Sequence, residues 1–196
     1  MSVTGRARII EAAIASILEV GFYRSSTNEV ARRADVSWGA LQYHFGTREA
    51  LLLAIVEHLD QRFLESIQGA SVVGDTLDER MTSLYEILAQ HYDNPTFLVR
   101  LQIVLNLQHD PDTSTEVMAE VAGHAAESEA STRRLLVEAL GPDAARSDYE
   151  VLFHAVRGFA LSRLYSRIVP VKRSRVPGRE ATQGFLGRLA GPDGHW

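Results

Sequence analysis

The sequence predicts an all-α fold: an N-terminal three-helix domain carrying a helix-turn-helix, then a larger helical domain, about nine helices in all. Three observations predict it. Apolar residues recur at spacings of three and four along nearly all 196 residues, with no convincing alternating strand pattern and no internal repeat. Start and stop residues punctuate that pattern: Ser26, Ser37, Thr47 and Pro95 open helices, and Gly21, Gly46 and Gly141-Pro142 end them. The segments so delimited are short at first and long afterwards.

Ile10, Ile14, Ile17 and Leu18 make one stripe of the first helix, which Gly21 ends. Ser26 opens the second helix: its hydroxyl is expected to accept from the Glu29 amide while Glu29 reaches back, a capping box. Val30, Ala31 and Ala34 form its inner face. The chain turns at Asp35-Val36, and Ser37 caps a third helix through about His44. Gly46 breaks it, and Thr47 caps a fourth that runs to about Gln68. Further helices follow from Thr76 to about Tyr92, from Pro95 to about Gln108, from Ser114 to Leu140, from Ser147 to about Ile168 and from about Arg179 to Leu189. VPVKRSRVPGR, between the last two, reads as a basic loop. The domain boundaries expected are 1–46 and 47–196.

Length and composition exclude several classes. A chain of 196 residues can bury a real core without a metal or disulfide staple. The absence of cysteine rules out disulfides, thiolate zinc sites and cysteine nucleophiles, and suits a cytoplasmic protein. No run approaches the roughly 18 apolar residues of a membrane span. Glu11 and Glu19 interrupt the first apolar stretch, which therefore reads as an amphipathic helix and not as a signal peptide. The net charge of −5 hides a polarity: residues 1–48 hold six Arg and four acids, residues 49–156 six Arg and nineteen acids, and residues 157–196 eight basic residues and two acids. A basic module on an acidic body remains compatible with a nucleic-acid partner. With one Lys against nineteen Arg, the Arg counts alone carry little weight.

Helices two and three, joined across ADVS, have the dimensions of a helix-turn-helix, whose second helix enters the major groove. The surrounding stretch GFYRSSTNEVARRADVSWGALQYHFGTREALLLAIVE, residues 21–57, resembles the tetracycline-repressor-like (TetR) family of bacterial transcription regulators. The likeness rests on the glycine-aromatic end of helix one, the Ser/Thr cap, V-A-x-x-A-x-V-S, Tyr-His-Phe, and the Gly-Thr-Arg-Glu-x-Leu restart. It covers about a fifth of the chain. Beyond residue 70 the likeness is one of architecture: the family there has a helical effector domain whose last two long helices pair in a dimer.

Leu41 and Phe45, with Val30 and Ala34, are expected to form the core of the DNA-binding unit. Tyr43 lies opposite that stripe and resembles the family aromatic that packs along the DNA backbone; the alternative is an exposed ring over the helix junction. His44 resembles the family histidine, reaching a phosphate or capping a neighbouring helix. For Trp38 two readings conflict. Its spacing from Leu41 and Phe45 predicts burial, whereas its place at the helix start matches variable, groove-facing family positions. Gly39 and Ala40 allow close approach. Gln42 stands where the family often has tyrosine and suits a paired hydrogen bond to adenine, worth roughly 1–3 kcal/mol of discrimination. Asn28 is the other candidate base reader. Thr47 and Arg48, at a helix N-terminus, are expected at a phosphate, as are Ser25, Ser26 and Thr27, with a pure cap the alternative for Ser26; Ser37, the cap of the third helix, is also counted among the DNA-binding residues. Arg6 and Arg8 read either as a basic arm or as a solvated end.

The body is less legible. Phe63, Tyr85, Leu88, Tyr92, Phe97, Leu101, Leu105 and Phe153 are candidates to line an effector pocket, or else plain core. Gln102, Asn106, His109, His124, His154 and Arg157 are the polar candidates; Gln102 and Asn106 fall in the apolar stretch FLVRLQIVLNL, where a polar group needs a partner. Val156, Phe159, Ala160, Arg163 and Leu164, with Phe185, Leu186 and Leu189, are the expected dimer interface. The scattered histidines show no metal-ligand spacing, and no phosphate loop, dinucleotide glycine pattern or G-x-S-x-G is present, so no metal, cofactor or catalytic residue is expected. The reading is a homodimeric regulator, more a repressor than an activator, that binds a palindromic double-stranded DNA operator and is released by a largely apolar small-molecule effector. The rivals are a DNA-binding regulator whose body takes a protein partner and no small ligand and, remotely, an all-α enzyme.

Overall fold

The protein is described by a computed structural model over residues 5–141, 146–168 and 184. Its helices are α1 (Gly5–Val20), α2 (Thr27–Arg33), α3 (Trp38–Phe45), α4 (Arg48–Gln68), α5 (Leu77–Tyr92), α6 (Pro95–His109), α7 (Thr115–Leu140) and α8 (Arg146–Ile168), with a 3-10 turn at Phe22–Arg24 that the sequence reading did not foresee. The fold is all-helical, as expected, and no described residue lies in a strand. The last expected helix, from about 179 to 189, lies outside the described residues apart from Gly184, and so do Phe185, Leu186, Leu189 and the side chain of Ala160. No helix among the described residues is long and apolar enough to cross a membrane.

The helices divide into two compact units. The first comprises residues up to Phe63 together with Pro95–Ser128. At its centre α1 packs against α2, α3, α6 and the 3-10 turn. Ile9, Ile10, Ile14 and Ile17 of α1 join Val30, Ala31 and Ala34 of the α2 region, Leu41 and Phe45 of α3, Leu51, Leu52 and Ile55 of α4, and Val99, Ile103 and Leu107 of α6 in one apolar core. Within it lies one buried ion pair: Arg100 Nη2 donates to Asp60 Oδ2 at 2.9 Å, and Arg100 Nε to Asp60 Oδ1, so that α6 is bound to α4 in bidentate fashion.

The second unit comprises Leu64–Asn94 and the chain from Glu129 on. Here α5 packs on α8, with Met81, Leu84, Tyr85 and Leu88 of α5 and Leu152, Val156 and Leu164 of α8 buried. Arginines tie its helix ends: Arg80 Nε donates to the Ala139 carbonyl at 2.9 Å and Arg134 Nη2 to the Ile67 carbonyl at 2.7 Å. The long helices α4 and α7 each contribute to both units.

Local signals set most helix starts. Ser26 Oγ accepts from the Glu29 amide at 3.2 Å, Ser37 Oγ from the Ala40 amide at 3.1 Å and Thr47 Oγ1 from the Ala50 amide at 3.0 Å. The second half of the box expected at Ser26 does not form, because the Glu29 carboxylate is taken by Arg32 and Arg33. A complete capping box instead opens α5, where Glu79 Oε2 accepts from the Thr76 amide at 3.0 Å and Thr76 Oγ1 from the Glu79 amide at 3.3 Å. Just ahead of it Gly74 has φ 138°, and a β-carbon there would lie 2.5 Å from Glu79 Cβ, so this loop closes onto α5 only with glycine.

Candidate nucleic-acid interface

The two-helix motif is held from outside as well as from within. Asp35, between α2 and α3, has φ 52°, a left-handed conformation that Asp tolerates better than most residues. The Val36 amide returns to the Ala31 carbonyl at 3.1 Å, which closes the end of α2. Arg8 of α1 then donates to the carbonyls of Ala34 at 2.5 Å and Asp35 at 3.2 Å, satisfying acceptors that the turn leaves free. Arg6 stacks over the Phe45 ring at 5.4 Å and pairs with Glu57 at 3.7 Å. Both arginines, though about half exposed, are bonded to the module, Arg8 to the turn and Arg6 to α3 and α4.

On α3 the division of faces is sharp. Leu41 and Phe45 are buried as expected. Trp38 is 57% exposed, so its wheel position misleads: it is the first residue of the helix, and first-turn side chains lean towards the N-terminus, beyond the turn that packs on the core. Tyr43 is 86% exposed and touches only the edge of His44 among aromatic rings described here. Gly39 is exposed and Ala40 half-buried. His44 is exposed but rests against the start of α1, where a β-carbon on Gly5 would stand 3.0 Å from its Nε2. Gln42 is exposed, and its amide nitrogen donates to the Gly46 carbonyl, so pairing with a base requires exchanging that bond. Gly46 itself has φ 71°, the conformation that lets the chain leave α3 and enter α4 after a single intervening residue.

In the first turn of α2, Asn28 is exposed and Thr27 half-buried. At the start of α4 the Arg48 guanidinium lies over the Phe22 ring at 5.2 Å and reaches the Ser25 carbonyl at 3.5 Å, so the 3-10 turn is the shelf on which it rests.

Ion pairing decides where positive charge is left over. Arg32 forms two bonds to Glu29, at 2.9 and 2.8 Å, and Arg33 bridges Glu29 at 2.6 Å and Glu19 at 2.5 Å. The hydrogen bonds from Arg32 and then Arg33 hold the Glu29 carboxyl down at about 2, and Arg33 also lowers that of Glu19. A carboxyl depressed in the folded state adds stability above its unfolded value of 4.5, and that stability is lost as pH falls towards 2. An NMR titration should therefore find Glu29 still ionised at pH 3.5; a midpoint near 4.5 would show that the Arg32–Glu29–Arg33 cluster does not persist in solution.

The expected effector residues differ in burial. Phe63, Tyr85, Leu88, Tyr92 and Phe97 are buried, whereas Gln102, Leu105 and His109 are exposed. Asn106 Nδ2 donates to the Gln102 carbonyl at 2.8 Å and His109 Nδ1 lies 2.7 Å from the Leu105 carbonyl, so both polar groups are bonded within α6 itself. Leu101 and His124 are half-buried, and His124 Nε2 stands 3.8 Å from Glu57 Oε1. A cavity of about 60 Å³ in the second unit is lined by Glu129, Arg133 and Leu136 of α7 and by Tyr149, Glu150, Phe153 and His154 of α8. Of these, the sequence singled out only Phe153 and His154. Arg157 stacks over Phe153 at 5.6 Å. Among the described residues no group of three His, Asp or Glu is placed to hold a metal ion.

The expected dimer residues on α8 also divide. Val156 and Leu164 are buried within their own unit, and Arg163 is bonded to the Tyr85 hydroxyl at 2.7 Å and to Asp93 at 2.8 Å. Phe159 is half-buried. The outward stripe is instead Val151, His154, Gly158, Leu161 and Tyr165, spaced by three and four. With apolar residues spread over well over half of the helix circumference, the wheel does not say which side the chain itself covers.

The family model of bacterial regulatory proteins, tetR family, matches residues 9–55, the segment that holds this motif. The HTH-type transcriptional regulator UidR of Escherichia coli (strain K12) is 32% identical over 130 residues, covering 59% of this chain and 63% of its own, so the match spans less than two thirds of that relative. The HTH-type transcriptional regulator CymR of Pseudomonas putida is 25% identical over 161 residues, 82% of this chain and 79% of its own. A solved TetR-family member from Streptomyces coelicolor A3 has a TM-score of 0.68 at 24% identity, covering 95% of this chain and 98% of that one. The multidrug binding protein EbrR complexed with ethidium has a TM-score of 0.66 at 22% identity over the same shares. The N-terminal motif thus matches the tetR family of bacterial regulatory proteins over residues 9–55, and the chain is similar in fold to a TetR-family member along nearly its whole length.

Proposed function

We propose that the protein is a DNA-binding transcriptional regulator, a homodimeric repressor that reads a palindromic operator through residues 1–46 and answers to a ligand through residues 47–196. The observation that carries the reading is the outward face of α3: Trp38, Gly39, Gln42 and Tyr43 are exposed while Leu41 and Phe45 anchor the helix below them. A helix that shows two aromatic rings and an amide to solvent is built to meet base edges and backbone, with Thr47 and Arg48 as the positioning contact. Dimerisation through the α8 stripe of Val151, Leu161 and Tyr165 supplies the second reading helix. Coupling to the body runs along α4, whose Glu49 accepts from the Ser114 amide at 2.8 Å and whose Asp60 holds Arg100. An effector that binds the two settings of α4 unequally shifts the spacing of the reading helices.

Selection from random duplexes with the full chain tests this. It should enrich a palindrome whose half-sites lie about 10 base pairs, or a multiple of that, apart. Gln42→Ala should relax the preference at one position of each half-site, and no enrichment over unselected DNA would end the reading. The effector class proposed is largely apolar, by analogy with EbrR, whose complexes with ethidium and malachite green share this fold. A second reading is a body that docks a protein and no small ligand. Thermal shifts with mixed apolar and cationic compounds separate them: stabilisation by none favours the protein partner.

A further inference from the structure

The first 48 residues contain six arginines, and they differ in what they have to offer an anion. Arg6 is paired with Glu57, Arg8 lies 3.9 Å from Asp35, and Arg32 and Arg33 are held by Glu29 and Glu19. Arg48 and Arg24 have no carboxylate partner among the described residues. Helix α3 carries neither Lys nor Arg. The uncompensated positive charge of the module therefore lies away from the reading helix, and both of its sources meet at one place. Arg48 rests on Phe22 and Ser25, and the two residues between those contacts are Tyr23 and Arg24.

Both are exposed, and Tyr23 is 87% accessible, more open than Tyr43. Its ring meets the edge of Phe22 at 5.6 Å, while its hydroxyl has no hydrogen-bond partner among the described residues. An aromatic left in water near two guanidiniums that have no carboxylate partner among the described residues serves neither the core nor a cap. Its neighbours on the chain, Phe22 and Ser25, are buried, so the turn that displays it is anchored on both sides. A phenol and guanidiniums together suit a phosphodiester: the hydroxyl and the guanidinium nitrogens donate to its oxygens, and the ring lies along the sugar.

We propose that the turn at Phe22–Arg24 is a second backbone clamp, in which Tyr23 and Arg24, beside Arg48, grip a phosphate of duplex DNA outside the groove that α3 reads. This rests on the DNA-binding reading above and deepens it, since it makes Arg24 and Arg48 the chief sources of salt-dependent affinity.

The test is fluorescence anisotropy of the full chain on its selected duplex at salt concentrations from about 50 to 200 mM. Each neutralised phosphate contributes about 0.9 to the slope of log affinity against log salt. Arg24→Ala should about halve the slope and weaken binding most at low salt, and Arg24→Lys should restore the slope. Tyr23→Phe should lower affinity about tenfold with the slope unchanged, because it removes a neutral donor. Exposure of both side chains predicts unaltered melting, read by circular dichroism. Wild-type affinity and slope in Arg24→Ala and Tyr23→Phe, with Arg48→Ala impaired, overturn the clamp and leave DNA binding standing. If the wild type selects no duplex, the DNA-binding reading fails first and the clamp with it.

Discussion

Asp60→Ala is expected to cost the protein about 3–5 kcal/mol, more than most substitutions in its apolar core. Asp60 is 3% exposed and meets Arg100 through both carboxylate oxygens. Removing it leaves the Arg100 guanidinium, whose side chain is 13% exposed, largely out of water and without its counter-charge, and the penalty is chiefly the desolvation of that charge rather than the lost attraction. At about 2–4 °C per kcal/mol for a chain of this size, melting should fall by roughly 6–20 °C. Asp60→Leu with Arg100→Met removes both charges and keeps apolar volume, so it should recover most of the loss. Chemical denaturation of the single and double variants decides the matter: a double variant no better than Asp60→Ala alone would mean that the pair shapes the packing of α4 on α6 in a way apolar side chains do not replace.

Trp38→Ala should have the opposite profile, a stability change within about 0.5 kcal/mol and a large loss of operator binding. A side chain 57% exposed at the first position of α3 has little to lose in the fold. If its indole lies on a base edge, each half-site loses about 1–3 kcal/mol and a dimer loses it twice, a fall in affinity of roughly 30-fold or more. Leu41→Ala supplies the contrast: Leu41 is buried, and its truncation should cost about 2–5 kcal/mol of stability. Undiminished affinity of a well-folded Trp38→Ala would remove the tryptophan from the reading face.

What the sequence made legible was local. The caps at Ser26, Ser37 and Thr47 need only the side chain and an amide three residues on, and all three formed. The box at Glu29 failed because two arginines, three and four residues further along, offer it charge-assisted bonds stronger than one backbone amide. Glu79 has Arg80 next to it, but that guanidinium is drawn to the Ala139 and Asp75 carbonyls, and the box closed. The rotation of α6 and α8 was not legible, since apolar residues are spread over most of the circumference of each: Gln102 and Leu105 turned out exposed, and Val156 and Leu164 buried. Tyr23 and Arg24 were visible as letters, yet only the pairing of Arg6, Arg8, Arg32 and Arg33 with carboxylates shows what is left uncompensated beside them.

The bond from Arg8 to the carbonyls of Ala34 and Asp35 carries one more consequence. Because the bend of the motif is stapled by a side chain of α1, the exposed positions of α3 contribute little to setting it. New residues can stand at 38, 39, 42 and 43 while the bend stays put, so this scaffold lets the exposed face of α3 change without changing how it is presented.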